Sequence, residues 1–298
     1  MNELTTLERR AMSRITTEHG RMLIVAADQR NGMKAVMKDA PAGPDSVTRE
    51  QLADAKADLV RHLANHGPAI LLDPEVALPQ IVDGGVLQPD TALVVGMDAS
   101  GFETIEGLRY TNYVPGVTAR TVRDLGGDAA KMLFYMRPDQ QDENSKVVQQ
   151  IRDLVLACNQ EGVLLIVEIL TYKLEDETDQ QYAERFPQLI EDATRLCVDA
   201  GSKVLKLPYP GSAAACDAVT KAARGVPWAV LSAGVDHETF VGQVATAVAH
   251  GASGAMAGRS LWKDSLAVSA DTRSQLLSER ALPRLRELED AVNGHRSQ

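Results

Sequence analysis

KVLKLPYP, from Lys203 to Pro210, is a short apolar run with breakers around it: Gly201 before, Pro208 and Pro210 at its end, Gly211 after. That pattern predicts a strand buried on both faces. Lys206 stands in its apolar part, between Leu205 and Leu207. Burial disfavours an ammonium ion, so a lysine there must be paired or neutral. A neutral amine attacks carbonyl carbon, the first step of Schiff-base chemistry. Taken alone, the position also suits a lysine whose stem packs while its ammonium reaches water.

Working outward, seven more runs share this character: Arg21–Ala27, Pro68–Leu72, Thr91–Met97, Ala129–Met136, Val163–Leu170, Pro227–Leu231 and Gly254–Ala257. They are apolar throughout rather than alternating, as strands covered on both faces are. Nearly all are followed by a stretch with helical spacing. Helices are expected at 5–18, 46–66, 118–125, 140–160, 182–200, 213–223, 238–250 and from Trp262 to about Val292. Residues 98–116 and 171–182 read as loops, the second of them acidic. Alternating strands and helices imply a parallel sheet. Eight units in about 250 residues match a (β/α)8 barrel. A doubly wound dinucleotide fold is disfavoured because no G-x-G-x-x-G follows the first strand. We therefore expect residues 1–298 to be one α/β (β/α)8 domain, a TIM barrel, with an extra N-terminal helix.

The composition, 44% hydrophobic and 24% charged over 298 residues, suffices for a sizeable core. Acids outnumber bases 41 to 31, which argues against a nucleic-acid surface. No apolar run is long enough for a bilayer, and no leader pattern opens the chain, so no membrane partner is expected. Cys158, Cys197 and Cys216 form no C-x-x-C pair and read as reduced, buried thiols of a cytoplasmic protein. The histidines are scattered, so neither a metal nor any other cofactor is expected. A homo-oligomer is expected.

A (β/α)8 enzyme carries its chemistry at the C-terminal strand ends. Polar residues gather there: Asp28 and Gln29, Asp73, Asp98, Lys131, Glu168, Lys206, Ser232 and Arg259. Lys131, Glu168 and Lys206 lie on consecutive strands, so the two lysines can share a layer with the carboxylate just above or below. Two neighbouring cations push one lysine towards the neutral form, and a carboxyl between them can shuttle protons. A purely structural Lys–Glu–Lys network is the alternative. The last two strands end in LSAG and AGRS. Their small residues expose backbone N–H groups, and Arg259 adds a guanidinium fork, which together suit a phosphate.

AADQR, LLDPE, AAKMLFY, IVEIL, KVLKLPYP, PWAVLSAGVD and GASGAMAGRSLW jointly resemble segments of the class I tagatose-1,6-bisphosphate aldolases, a group that includes the sulfofructose-phosphate aldolases. The likeness covers nearly the whole chain, and the last two segments are most similar to the sulfosugar branch. It implies Lys206 as the Schiff-base lysine, Glu168 as acid/base and Lys131 as the second lysine. It also implies Asp28 and Gln29 as substrate contacts, and Ser232, Gly234, Gly258 and Arg259 as phosphate turns. The implied reaction is metal-independent cleavage of a small phosphorylated ketose to dihydroxyacetone phosphate and a three-carbon aldehyde. The region after Lys206 is shorter than in the tagatose-bisphosphate enzymes, and residues 98–116 do not align with the pattern. From the residues alone, isomerase chemistry on a phosphosugar barrel, or a non-enzymatic sensing role, stays open.

For the far end of such a substrate, the basic residues near strand ends are Arg30, Arg137 and Lys173. The acidic loop Glu175–Asp179 would repel a second phosphate dianion if it covered the mouth. This favours a sulfonate end, as in 6-deoxy-6-sulfofructose 1-phosphate, over tagatose 1,6-bisphosphate.

Overall fold

Met22–Ala27 (β1) is buried at every position and is the strand on which the sheet closes. The computed structural model describes residues 3–294. After β1 come Ala69–Leu72 (β2), Ala92–Gly96 (β3), Asp98–Ile105 (β4), Leu108–Tyr113 (β5), Ala129–Tyr135 (β6) and Leu164–Leu170 (β7). Val204–Pro208 (β8), Trp228–Leu231 (β9) and Gly254–Ala257 (β10) complete the set. The order β1-β10-β9-β8-β7-β6-β3-β2 is a closed barrel, parallel at each pair. These are the eight expected strands, with ends moved by a residue or two.

The period of two along each strand sorts side chains between two cores. Met22, Ile24 and Ala26 of β1 face the barrel interior with Leu71, Val94, Ala129, Leu164, Ile166, Val204, Ala229 and Met256. Ala11 and Ile15 join the same cluster, so the helix Thr6–Arg14 and its C-cap close the N-terminal end of the barrel. Leu23, Val25, Leu205 and Leu207 point outward to the larger core under the helices. Continuing the inward series by one step past Ala26, Ala129, Ile166 and Val204 reaches Asp28, Lys131, Glu168 and Lys206. The interior is apolar up to this level and charged at it.

Closure depends on one glycine. Gly254 pairs with Met22 across the seam of β10 and β1, at φ +150°, and a Cβ there would lie 1.9 Å from the Met22 carbonyl oxygen.

Two expectations are corrected. Residues 98–116 are not a loop: β4 and β5 form an antiparallel ribbon, with Ile105 opposite Leu108 and a two-residue turn of Glu106 (φ 51°) and Gly107 (φ 78°). Both turn residues are left-handed, which matches the twist of a hairpin. The ribbon is half exposed, so no apolar run marks it. The C-terminal helix is not continuous from Trp262. Arg259–Trp262, Ala270–Leu276 and Leu282–Asn293 are separate helical segments, the last two joined by a π-helical turn at Leu277–Ala281. Residues 263–269 break away because Leu266 and Val268 hydrogen-bond the backbone of Lys38.

Other helix ends shift by capping. The helix expected from 46 begins at Arg49, where Thr48 and Gln51 form a reciprocal capping box. The helix expected from 140 begins at Lys146, and the one expected from 182 begins at Asp179 after Thr178. Cys158, Cys197 and Cys216 are buried and unpaired, and burial pushes the Cys158 thiol up to about 12 and Cys216 to about 11. No described helix is long and apolar enough to cross a membrane.

Candidate active site

The charged layer at the C-terminal end of the barrel is a connected network. β7 and β8 are in register with Glu168 beside Lys206, and Lys131 on β6 is level with Ile166, one inward step below Glu168. Glu168 Oε2 lies 3.0 Å from Lys206 Nζ and 2.6 Å from Lys131 Nζ. Lys131 Nζ also reaches Asp28 Oδ2 at 3.0 Å and Asp98 Oδ1 at 2.9 Å. Lys206 and Lys131 are only 4% and 2% exposed, so these contacts replace their hydration.

Three carboxylates around one ammonium fix its state. Burial opposes the charge on Lys131, but Asp28, Asp98 and Glu168 together hold it well above the ordinary lysine range. Burial would raise Glu168 and Asp28; Lys131 and Lys206 outweigh it and hold both low. Asp98 goes the other way: burial, with Asp28 and Glu168 nearby, raises it despite Lys131. Lys131 is therefore the fixed cation of the layer. Lys206, with one carboxylate contact among the described residues against three for Lys131, is the amine less committed to an ion pair.

Sequence reasoning passed over two residues of this layer. Asp98 stands at a strand end outside the expected set of site residues; its carboxylate also accepts from the Leu133 N–H at 3.2 Å, so the first residue of β4 is anchored on β6. Lys56 was missed. It is fully buried, donates to the carbonyls of Ala27 at 2.6 Å and Gln29 at 2.9 Å, and pairs with Asp73. It thus holds the backbone on both sides of Asp28. Burial drives its ammonium below the ordinary value while Asp73 works against that. The signal was its spacing: Lys56 shares the helical stripe of Leu52, Leu59 and Leu63. Gln29 Nε2 donates to Asp28 Oδ1 at 2.8 Å, and its buried Oε1 has no partner among the described residues.

The phosphate-type turns meet the same space. A cavity of about 240 Å³ is lined by Gln29, Glu168, Lys206, Ser232, Gly234, Gly258 and Arg259, with Leu170 on its wall. Ser232 Oγ accepts from the Gly258 N–H at 3.4 Å and joins the two turns. Ala233 (φ 46°) and Gly234 (φ 83°) are successive left-handed residues. Neither N–H has an acceptor among the described residues, so both can donate to an anion. The Arg259 side chain lies over Gly234, where a Cβ would come within 3.3 Å of the guanidinium. Lys263 secures the turn by donating to the Gly234 carbonyl at 2.9 Å. All nine residues expected at the site therefore stand in one contiguous region.

The cations expected at the far end are engaged. Arg30 pairs with Glu75 at 2.8 Å, Arg137 with Asp139 and Glu177, and Lys173 with Asp179. Glu177 is bound by both Arg137 and Arg185 and Asp179 by Lys173, so two of the four acids of this loop are paired. His62 and His66 stand four apart, but the helix ends at His62 and His66 lies in the following 3-10 turn, so they share no helix face.

The chain is similar to known aldolases. Tagatose 1,6-diphosphate aldolase 2 of Streptococcus agalactiae serotype III (strain NEM316) is 27% identical over 288 residues, covering 88% of this chain and 87% of the relative. Tagatose 1,6-diphosphate aldolase of Lactococcus lactis subsp. lactis is 26% identical with the same coverage. Among solved structures, an archaeal fructose 1,6-bisphosphate aldolase superposes with a TM-score of 0.65 at 18% identity, covering 97% of this chain and 100% of that one. Fructose-bisphosphate aldolase from Plasmodium falciparum gives 0.67 at 13% identity, covering 100% and 99%. The structural matches share the barrel fold. The family model for DeoC/LacD family aldolases matches residues 22–264, from the first barrel strand to just past the last, and the chain belongs to that family.

Proposed function

We propose that this aldolase works by a Schiff base on Lys206 and cleaves a ketose 1-phosphate to dihydroxyacetone phosphate and a three-carbon aldehyde. The observation that carries this is one carboxylate oxygen, Glu168 Oε2, lying within 3.0 Å of both a fixed cation and a second buried amine. Lys206 Nζ gives up a proton to Glu168 and adds to the C2 carbonyl, and a second proton passes from nitrogen to the new alkoxide to give the carbinolamine. Glu168, steadied by Lys131, returns its proton to that hydroxyl, which leaves as water. The resulting iminium draws the electrons of the C3–C4 bond as the C4 hydroxyl loses its proton and the aldehyde departs. Protonation of the enamine at C3 and hydrolysis release dihydroxyacetone phosphate and the amine. Asp28 and Gln29 orient substrate hydroxyls. The 1-phosphate sits at Ser232, Gly234, Gly258 and Arg259.

Candidates for the whole substrate are 6-deoxy-6-sulfofructose 1-phosphate and tagatose 1,6-bisphosphate. The engagement of Arg30, Arg137 and Lys173 supports the less charged sulfonate end. The test of the mechanism is borohydride reduction with dihydroxyacetone phosphate. It should inactivate the enzyme and add the mass of the reduced adduct to the peptide containing Lys206. An adduct on Lys131 alone would overturn the assignment.

A further inference from the structure

The β4–β5 ribbon brings more than Asp98 to the mouth of the barrel. Its register sets Phe102 opposite Thr111 and Thr104 opposite Arg109, so these four side chains share one face. That face meets the ends of β6 and β7. The Phe102 ring packs edge-on to Tyr135 with centroids 5.3 Å apart, and Tyr135 packs on Tyr172 at 6.2 Å. The Arg109 guanidinium carbon lies 4.4 Å from the centre of the Phe102 ring and 4.7 Å from that of Tyr172. The Arg109 backbone N–H donates to the Tyr172 hydroxyl at 2.9 Å.

This arginine differs from the other cations of that side. Arg30, Arg137 and Lys173 are each bound to carboxylates. The Arg109 guanidinium has no hydrogen bond or ion pair among the described residues. A guanidinium that packs on aromatic rings keeps its N–H donors for a ligand where no carboxylate takes them. The rings also restrict its rotamers before a ligand arrives, so little entropy remains to be lost. Thr111, 8% exposed on the same face, carries a buried hydroxyl with no partner among the described residues.

The position suits the end of a substrate rather than its reacting centre. Tyr135 is level with Leu170, which walls the cavity holding Lys206 and Glu168. Arg259 lines the same cavity beside Gly234 and Gly258, on the turns after β9 and β10. The ribbon cannot drift independently, since Asp98 at its root grips Lys131 at 2.9 Å.

We propose that Arg109, packed against Phe102 and Tyr172, binds the oxyanion at the far end of the substrate, a phosphate or sulfonate on C6, while Arg259 holds the 1-phosphate. This rests on the reading of the cavity as a ketose 1-phosphate aldolase site. One guanidinium fork on this face of the ribbon suits one oxyanion group whose remaining charge faces water.

The experiment compares three substrates on the full chain: fructose 1-phosphate, with a C6 hydroxyl, tagatose 1,6-bisphosphate, and 6-deoxy-6-sulfofructose 1-phosphate. Arg109→Met keeps an apolar stem between the rings. It should lower kcat/KM on at least one C6-charged substrate tenfold to hundredfold relative to fructose 1-phosphate. Arg109→Lys should recover part of that ratio. Whichever charged substrate loses more identifies phosphate or sulfonate as the natural end. A wild-type ratio near one, an unchanged ratio in Arg109→Met, or an equal loss on all three substrates in a variant with the wild-type urea midpoint would overturn the proposal. Urea midpoints of both variants separate an equal loss caused by misfolding from one caused at the site, and Arg109→Lys then decides. The underlying reading fails separately, if wild-type protein forms no borohydride-trapped adduct on Lys206 with dihydroxyacetone phosphate, which has no C6 end.

Discussion

Replacing Lys131 by methionine removes the ammonium at the centre of the charged layer while keeping a stem of similar length. Three buried carboxylate contacts, at 3.0, 2.9 and 2.6 Å, lose their common partner. Removing one member of a buried ion pair costs about 3–5 kcal/mol, because the remaining charge is left without compensation. That is a large part of the roughly 5–15 kcal/mol a folded domain has. At roughly 2–4 °C per kcal/mol, the melting temperature should fall by about 6–20 °C. The loss must also depend on pH. In the wild type, Asp28 and Glu168 are held low, so their contribution is present above the unfolded carboxylate pKa and is lost as pH falls through the folded one. In Lys131→Met, burial is no longer opposed by that cation, and the carboxylates shift above their unfolded values. The variant then binds protons better folded than unfolded, so its deficit shrinks as pH falls. Urea unfolding followed by circular dichroism at about pH 8 and about pH 5 reads this directly. A deficit under about 1 kcal/mol at the higher pH, or one equal at both, would refute the claim that Lys131 is the charge on which the layer depends.

Arg259→Ala should mainly raise KM for phosphorylated ketoses: losing a charge-assisted contact costs about 1.5–3 kcal/mol, or about 10- to 150-fold. An unchanged KM would show that the backbone N–H groups of Ala233 and Gly234 suffice. Gly254→Ala forces a Cβ against the Met22 carbonyl at a φ that only glycine adopts readily, and should cost about 2–6 kcal/mol of strain and overpacking; a urea midpoint within error of wild type would contradict the seam geometry. Exhaustive EDTA treatment should leave activity intact, because the ammonium of Lys131 already occupies the point where Asp28, Asp98 and Glu168 converge; activity lost and then restored by zinc would require a different mechanism.

The barrel was legible because its signal is local. A strand covered on both faces must be apolar throughout, so VLLIVEIL and KVLKLPYP declare themselves and their lysine and glutamate stand out. Strand ends in a barrel are also site positions, which made Asp28, Lys131, Glu168, Lys206 and Arg259 readable before any coordinates. The β4–β5 ribbon was not legible, since its strands are paired with each other and half solvated, and polar residues suffice there. Lys56 was hidden for the opposite reason: a charged residue on an apolar helical stripe looks like an interruption until the carbonyls of Ala27 and Gln29 are placed beside it.

What the sequence by itself determined is therefore the barrel, the inward series and the kinds of charge at its end, because these follow from burial and a period of two. Which lysine is the fixed cation, which carboxylate is raised, and which arginines are engaged were decided only in three dimensions. Those properties depend on distances of about 3 Å between residues that lie 33 to 103 positions apart in the chain. At that range, in a site withdrawn from water, ion pairing dominates the protonation of each group, and no local pattern encodes it.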